Sequence, residues 1–440
     1  MIQYFKKHKT TLVLLLTTIV LIWVSSNRFW GHNRWHKILK SDATGYYAYL
    51  PAVIVYHDLS FSFFDKVNKG AYRNNYKYDY RNNTGNGVVN KYFAGVAFVQ
   101  IPFYLAGHML TSLSSGTPDG YSKWYLILFQ MGALFYCVLG LFFFWKVLKL
   151  FKVGDSVSAW IIVAVLFGTN LYHYTVNESG MSHVYSFAFV NLFVWQALRY
   201  FRTGKNAHYY WAMAALGVIT LIRPVNVLVL LSIPFLSGDF STLKRGIKKL
   251  FKKPAVLMVG IFLFFIMVSI QLIIYKIETG NFIVYSYGKE GLNLLKPHFI
   301  NFLFSYRKGF FVYTPMAFLS LFGAGYLLKV NKYIFFSWAG FLLIVIYVIS
   351  SWWMWYYGGS FSSRVMVEYL TFFFIPLALW LSNTKYKKLL KLAMVILILV
   401  NLIQTYQYQG GYIHWSEMNK ERYWNNFLRL DKAINHQRDW

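Results

Sequence analysis

Apolar runs of about twenty residues, separated by short clusters of lysine and arginine, recur along this chain of 440 residues. A helix of that length is what crossing the hydrocarbon core of a bilayer requires. Lipid offers the backbone no hydrogen bonds, so each run must satisfy its own amides and carbonyls, as a helix does. The pattern predicts an all-α, polytopic transmembrane helical bundle of about eleven helices. Only 13% of residues are charged, against about a quarter in soluble domains. The net charge of +29 would suit a nucleic-acid binder. Its cations, however, sit between apolar runs, as cytoplasmic loops retain them, so membrane lipids are the expected partner and nucleic acid is not. The single cysteine, Cys137, lies inside an apolar run, which leaves no disulfide within the chain.

Orientation follows from placing the basic clusters inside. The first apolar run, 10–26, follows Lys6, Lys7 and Lys9 and lacks a small-residue cleavage site, so it reads as an uncleaved helix leaving the cytoplasm. A long first external loop, 27–122, comes next. The cluster Lys146, Lys149 and Lys152 then falls inside, as do Arg199, Arg202 and Lys205, the dense group from Lys244 to Lys253, and Lys385 to Lys391. Further external loops fall at 276–309 and 351–364. Residues 1–406 thus form one transmembrane domain, and 407–440 an external C-terminal tail. The scheme requires the apolar stretch 93–113 to remain on the outer side as a re-entrant or juxtamembrane helix; if it crossed, the following loops would invert. Gly95, Gln100, Pro102 and Gly107 within it favour that reading.

This topology collects the unusual polar residues on one face. Acids are scarce, 15 against 44 lysines and arginines. Asp42, in Ser41-Asp42-Ala43-Thr44-Gly45-Tyr46-Tyr47, therefore stands out as a catalytic base, with a simple helix cap as the alternative. Ionisable groups at membrane depth are functional by default. Glu178 and His183 lie between two runs, Arg223 caps a hairpin, Tyr306 precedes Arg307 and Lys308, and Arg364 and Glu368 begin a late run. A carboxylate to take a proton from a hydroxyl, with cations to hold a departing phosphate, is the set that sugar-phosphate transfer needs. Arginine forks match phosphate oxygens, which assigns Arg307, Arg364 and Arg223 to a donor phosphate. Tyr46, Tyr47, His183, Glu178, Tyr306 and Trp355 would face the substrate, and Gly358 with Gly359 would let backbone approach it. The plainer readings are headgroup anchoring for Arg307, an interfacial belt for Trp355 and its aromatic neighbours, solvation for Glu178 and backbone satisfaction for His183. No nucleotide-binding loop or clustered metal-ligand spacing occurs, so no cofactor is expected and a divalent metal, though open, is not predicted.

Asp42 with Tyr46-Tyr47-Ala48-Tyr49-Leu50-Pro51 resembles the first-loop motif of the GT-C superfamily, integral-membrane glycosyltransferases that use lipid-linked sugar donors. Its bacterial protein-mannosyltransferase-like and aminoarabinose-transferase-like branches are the most similar. Lys91-Tyr92-Phe93-Ala94-Gly95, Gly168-Thr169-Asn170-Leu171-Tyr172, Met181-Ser182-His183, Arg223-Pro224, Phe304-Ser305-Tyr306-Arg307-Lys308-Gly309 and Trp355-Tyr356-Tyr357-Gly358-Gly359-Ser360-Phe361 follow in the expected order. The resemblance implies that Asp42 is the base or orients the acceptor, and that Lys91 touches the donor phosphate. Many relatives carry two prolines after that basic residue, where this chain has Tyr92 and Phe93. Many also carry a second acid beside the first, where this chain has Ala43, so no two-carboxylate metal site is expected. It further implies an inverting transfer from a polyprenyl-phosphate sugar donor to a lipid, glycan or protein acceptor. The setting would be a bacterial inner membrane, with the N-terminus cytoplasmic and the site periplasmic. A polysaccharide polymerase or O-antigen-ligase-like enzyme using lipid-diphosphate glycans remains an alternative. So does a lipid or glycan transporter, although such proteins place charges mid-span.

Overall fold

The computed structural model describes residues 8–31, 34–69 and 78–434. Lys6 and Lys7 of the first basic cluster, and the tail beyond 434, lie outside the described residues. Seven described helices are long and apolar enough to cross a bilayer: Lys9–Trp30, Gly95–Leu113, Lys123–Leu150, Pro254–Thr279, Lys332–Ser350, Arg364–Asn383 and Lys387–Gly410. Shorter apolar helices at Asp155–Phe167, Pro224–Ser237 and Pro315–Val330, and the more polar His183–Thr203 and Asn206–Ile222, complete the bundle. The protein is an all-α, multi-pass membrane protein. The described exception is a ribbon in the first loop, where Arg81–Asn83 pairs antiparallel with Val88–Asn90.

Local chemistry decides where the predicted runs break. The apolar helix that starts at Asp155 stops at Phe167; Gly168 and Thr169 leave the helix, and a short helix Leu171–Val176 follows. The segment before Val330 is cut at Thr314, because a residue preceding proline is steered away from helical geometry. Arg364–Tyr369 winds as a tight 3₁₀ turn before Leu370–Asn383 continues as α-helix. The C-terminal helix runs past the expected boundary at 406, to Gly410.

Lys123–Leu150 is the central post, packed by His183–Thr203, Gly95–Leu113 and Lys9–Ser25. Gly95–Leu113 runs antiparallel to its first half: Gln100 Nε2 donates to Phe129 O at 2.8 Å and Gly107 lies against Tyr125. Its first residue abuts Ile222, at the end of Asn206–Ile222. Pro254–Thr279 exposes Met258, Phe262, Phe265 and Ile273, the face a lipid solvent covers. Phe240–Phe251 has no buried residue; Phe240, Leu243, Ile247 and Leu250 share one side and Lys244, Arg245, Lys248 and Lys249 the other, as in a helix lying in a bilayer surface.

The first loop returns to the bundle through the helix Asp42–Ile54, almost all of it buried. Two close approaches seat it. A Cβ on Gly45 would lie 2.3 Å from the Tyr92 ring, and one on Gly180 would lie 2.4 Å from Ala43 Cβ. Neither site has room for a methyl group. Gly45→Ala is therefore expected to destabilise the protein by about 1–3 kcal/mol through overpacking, measured as thermal unfolding in detergent. An unchanged unfolding temperature would mean that Tyr92 yields without cost.

Candidate functional site

Asp42 opens its helix, yet its carboxylate is not spent on capping. Oδ2 accepts from Arg364 NH2 at 2.7 Å, across 322 residues, and both side chains are mostly buried at 18% and 13% exposure. The Tyr92 hydroxyl also donates to the carboxylate. Burial pushes Asp42 up, but Arg364, the Tyr92 hydrogen bond and the charge of Lys91 outweigh it and hold the group below the usual carboxylate range. Asp42 is thus an ionised acceptor at neutral pH. Ser41, beside Asp42, and Ser362, two residues before Arg364, have positive φ values of 47° and 59°. Such conformations carry strain and cluster at functional sites.

A second buried acid sits on the same turn as Arg364. Glu368 has no exposed surface and its Oε1 meets His183 Nδ1 at 3.0 Å, Arg223 NH1 at 3.1 Å and Asn226 Nδ2 at 3.4 Å. Asn226 is fixed in turn by Ser186 Oγ at 3.1 Å and by the Tyr369 hydroxyl at 3.1 Å. The sequence reading placed Glu368 near the site without giving it a role. Its signal was an acid four residues after an arginine at the head of an apolar run; the 3₁₀ winding turns the two side chains apart, Arg364 to Asp42 and Glu368 to Arg223. Tyr46, whose ring lies 4.6 Å from Tyr92, faces the charges of Arg223 and Asp42, so it lies between the two carboxylate centres.

Two more residues stand at the edge. Lys91 Nζ is 2.6 Å from Glu290 and within electrostatic reach of Asp42. Glu178 lies 3.4 Å from His173 Nε2. Burial raises it, but His173, Arg364 and Lys40 together hold it below its ordinary value. The remaining predicted residues have other work. Tyr47 is fully buried, donates to Gly120 O and packs against Tyr104, Tyr121 and Phe129. Arg307 donates to Ser416 O at 2.8 Å and lies 3.5 Å over the Tyr356 ring, so it ties the C-terminal tail to the 351–364 loop. Tyr306 packs on Tyr423 and accepts from Trp424 Nε1 at 3.2 Å. Trp355 faces His298, Gly358 takes φ +64°, and Gly359 backs Trp415. Among the described residues, no group of three or more His, Cys, Asp or Glu side chains comes together.

Lys308 was named only as a neighbour of Arg307, and its burial could not be read from the sequence. It is 1% exposed, donates to Ser360 O and lies 5.1 Å over the Tyr408 ring. Burial lowers its amine to about 7, helped by Arg307 and Arg364 and opposed by Glu178. The unfolded chain keeps this lysine protonated up to the ordinary lysine value of 10.5, so the unfolded state binds more protons between those two values. Stability should therefore rise as pH increases from about 7 towards 10. Thermal unfolding across that window should show the rise in wild type and a flatter profile in Lys308→Met; equal slopes would remove Lys308 as the cause.

No family model matches the chain, and no curated protein matches it. Solved structures do match in fold. The archaeal oligosaccharyltransferase AglB from Archaeoglobus fulgidus, solved with an inhibitory peptide and a dolichol-phosphate, aligns at a TM-score of 0.51 with 12% identity over 97% of this chain. The apo form of the Archaeoglobus fulgidus oligosaccharyltransferase aligns at 0.50 with 9% identity over the same share. This chain spans 60% of the length of those proteins. At such identities the likeness speaks for the fold alone, which this chain shares with those oligosaccharyltransferases.

Proposed function

We propose that this protein is a GT-C-type glycosyltransferase that moves a sugar from a polyprenyl-phosphate donor to an acceptor hydroxyl at the outer face of a membrane. The observation that carries the reading is the buried Asp42–Arg364 pair: a base and a phosphate-matching fork, held together where the first loop meets the bundle. The fold shared with an oligosaccharyltransferase supports the class. The topology belongs to the same proposal: about eleven crossings, a cytoplasmic N-terminus, the 93–113 helix kept outside, and a bacterial inner membrane with a periplasmic site.

In this mechanism the donor phosphate competes with Asp42 for Arg364, with Arg223 and Lys91 near enough to share its charge. The exchange frees the carboxylate as the donor arrives. The acceptor oxygen attacks the anomeric carbon, its proton passes to Asp42, and the bond from carbon to phosphate oxygen breaks on the opposite face. Polyprenyl phosphate leaves as an anion stabilised by the arginines, and the configuration inverts. Arg307, engaged by the tail, would reach a donor phosphate only by giving up Ser416. The test is transfer of radiolabelled sugar from a panel of synthetic polyprenyl-phosphate sugars by the purified protein. Donors that neither bind nor turn over on folded protein would overturn the assignment. Arg364→Lys keeps the charge but loses the fork, and should weaken donor binding more than it lowers the unfolding temperature.

A further inference from the structure

A pocket of about 330 Å³ opens next to the reactive pair and is used by none of the steps above. Lys40, Asn177, Glu178, Tyr408, Gln409 and Trp415 are among the residues that line it. It shares a wall with the Asp42 helix, since Gly180, two residues beyond Glu178, lies against Ala43. The next residue, Met181, has its Sδ 3.8 Å from Arg364 NH1.

The pocket is built rather than incidental. Glu178 Oε1 faces His173 Nε2 at 3.4 Å, while Glu178 Oε2 has no hydrogen-bond partner. His173, fully buried, meets Gln409 Nε2 at 3.2 Å through Nδ1, and Gln409 Oε1 accepts from Arg28. A chain of contacts from Arg28 through Gln409 and His173 therefore fixes Glu178, whose side chain stays 21% exposed, in the pocket wall. Trp415 lies on the rim, 60% exposed, with its ring close to Gly359. An indole left open beside an ionised carboxylate is an unusual pair, and it selects a ligand with an apolar face and several hydroxyl groups.

We infer that this pocket is the acceptor subsite and that its ligand is a sugar residue, which makes the acceptor a glycan. Hydroxyls donate to Glu178 in charge-assisted hydrogen bonds, and the C–H face of the ring stacks on Trp415. The pocket is at the small end of the range for small-molecule sites. An acyl chain finds too many charged and amide groups in this wall, and a phosphate headgroup meets the charge of Glu178. The word acceptor rests on the transferase reading; the ligand class does not.

The test uses the full chain in detergent without donor, with methyl glycosides of mannose, galactose, glucose and N-acetylglucosamine at millimolar concentration. Saturation-transfer NMR should report binding of at least one of them. Trp415→Ala and the isosteric Glu178→Gln should each weaken it by about tenfold, with unfolding temperatures close to wild type. Absence of binding for all four glycosides, or binding that either substitution leaves unchanged, overturns the assignment. Glycoside binding in a protein that turns over no lipid donor would sink the transferase reading and leave the ligand class standing. Sugar transfer without glycoside binding would do the reverse.

Discussion

Asp42→Asn should reduce sugar transfer by about 10²–10⁴-fold, the contribution of a positioned general base. The amide keeps the shape of the side chain and can still face Arg364, so donor binding should persist. Persistence matters, because it separates loss of the base from loss of the site. Arg364, Tyr92 and Lys91 outweigh burial and hold the carboxylate below its ordinary range, so it stays ionised further into acid. The acid limb of the transfer profile should therefore lie below the usual carboxylate range in the free enzyme, and donor binding should shift it as phosphate draws Arg364 away. Removing the Tyr92 hydroxyl by Tyr92→Phe should move that limb upward without abolishing transfer. A variant Asp42→Asn with full activity would show that another group takes the proton.

Glu368→Ala should cost about 3–5 kcal/mol of stability, the range for stripping one partner from a buried ion pair. Arg223 and His183 both converge on the same oxygen, at 3.1 Å and 3.0 Å; Arg223 would be left without its counter-charge and His183 without its buried partner. The double variant Glu368→Leu with Arg223→Met should recover much of the loss, since an apolar pair of similar volume avoids burying a lone charge. A double-mutant cycle on thermal unfolding reads the coupling directly. Additive effects would mean that Glu368 and Arg223 stabilise the fold independently. The recovered double variant should still transfer poorly if Arg223 contributes to donor binding.

The helical bundle was legible because the bilayer imposes a length and composition that an apolar run displays without any partner. Lys123–Leu150 and Pro254–Thr279 are such runs. The breaks at Gly168 and Thr314 were less legible, because glycine and proline permit a break without requiring one. In the site, Asp42 and Arg364 were each singled out as acid and phosphate ligand, yet their direct pairing was not anticipated. Nor was the convergence of His183, Arg223 and Asn226 on Glu368, which draws on three separate segments. Arg307 was read as a phosphate ligand from its fork and its place in a loop, and neither reveals that Ser416 and Tyr356 engage it in the folded chain.

By itself the sequence determined the solvent of this protein, its helical class and a short roster of chemically unusual residues. Those properties are local: a run of side chains meets lipid or water, and a carboxylate or guanidinium is what it is wherever it lies. Tertiary structure alone decided which of those groups touch. It buried Lys308, joined Asp42 to Arg364 across 322 residues and brought the segment around Gly410 beside Glu178 to line an open pocket. Each of these depends on segments remote in sequence being brought within hydrogen-bond range, and a one-dimensional pattern contains no term for that distance.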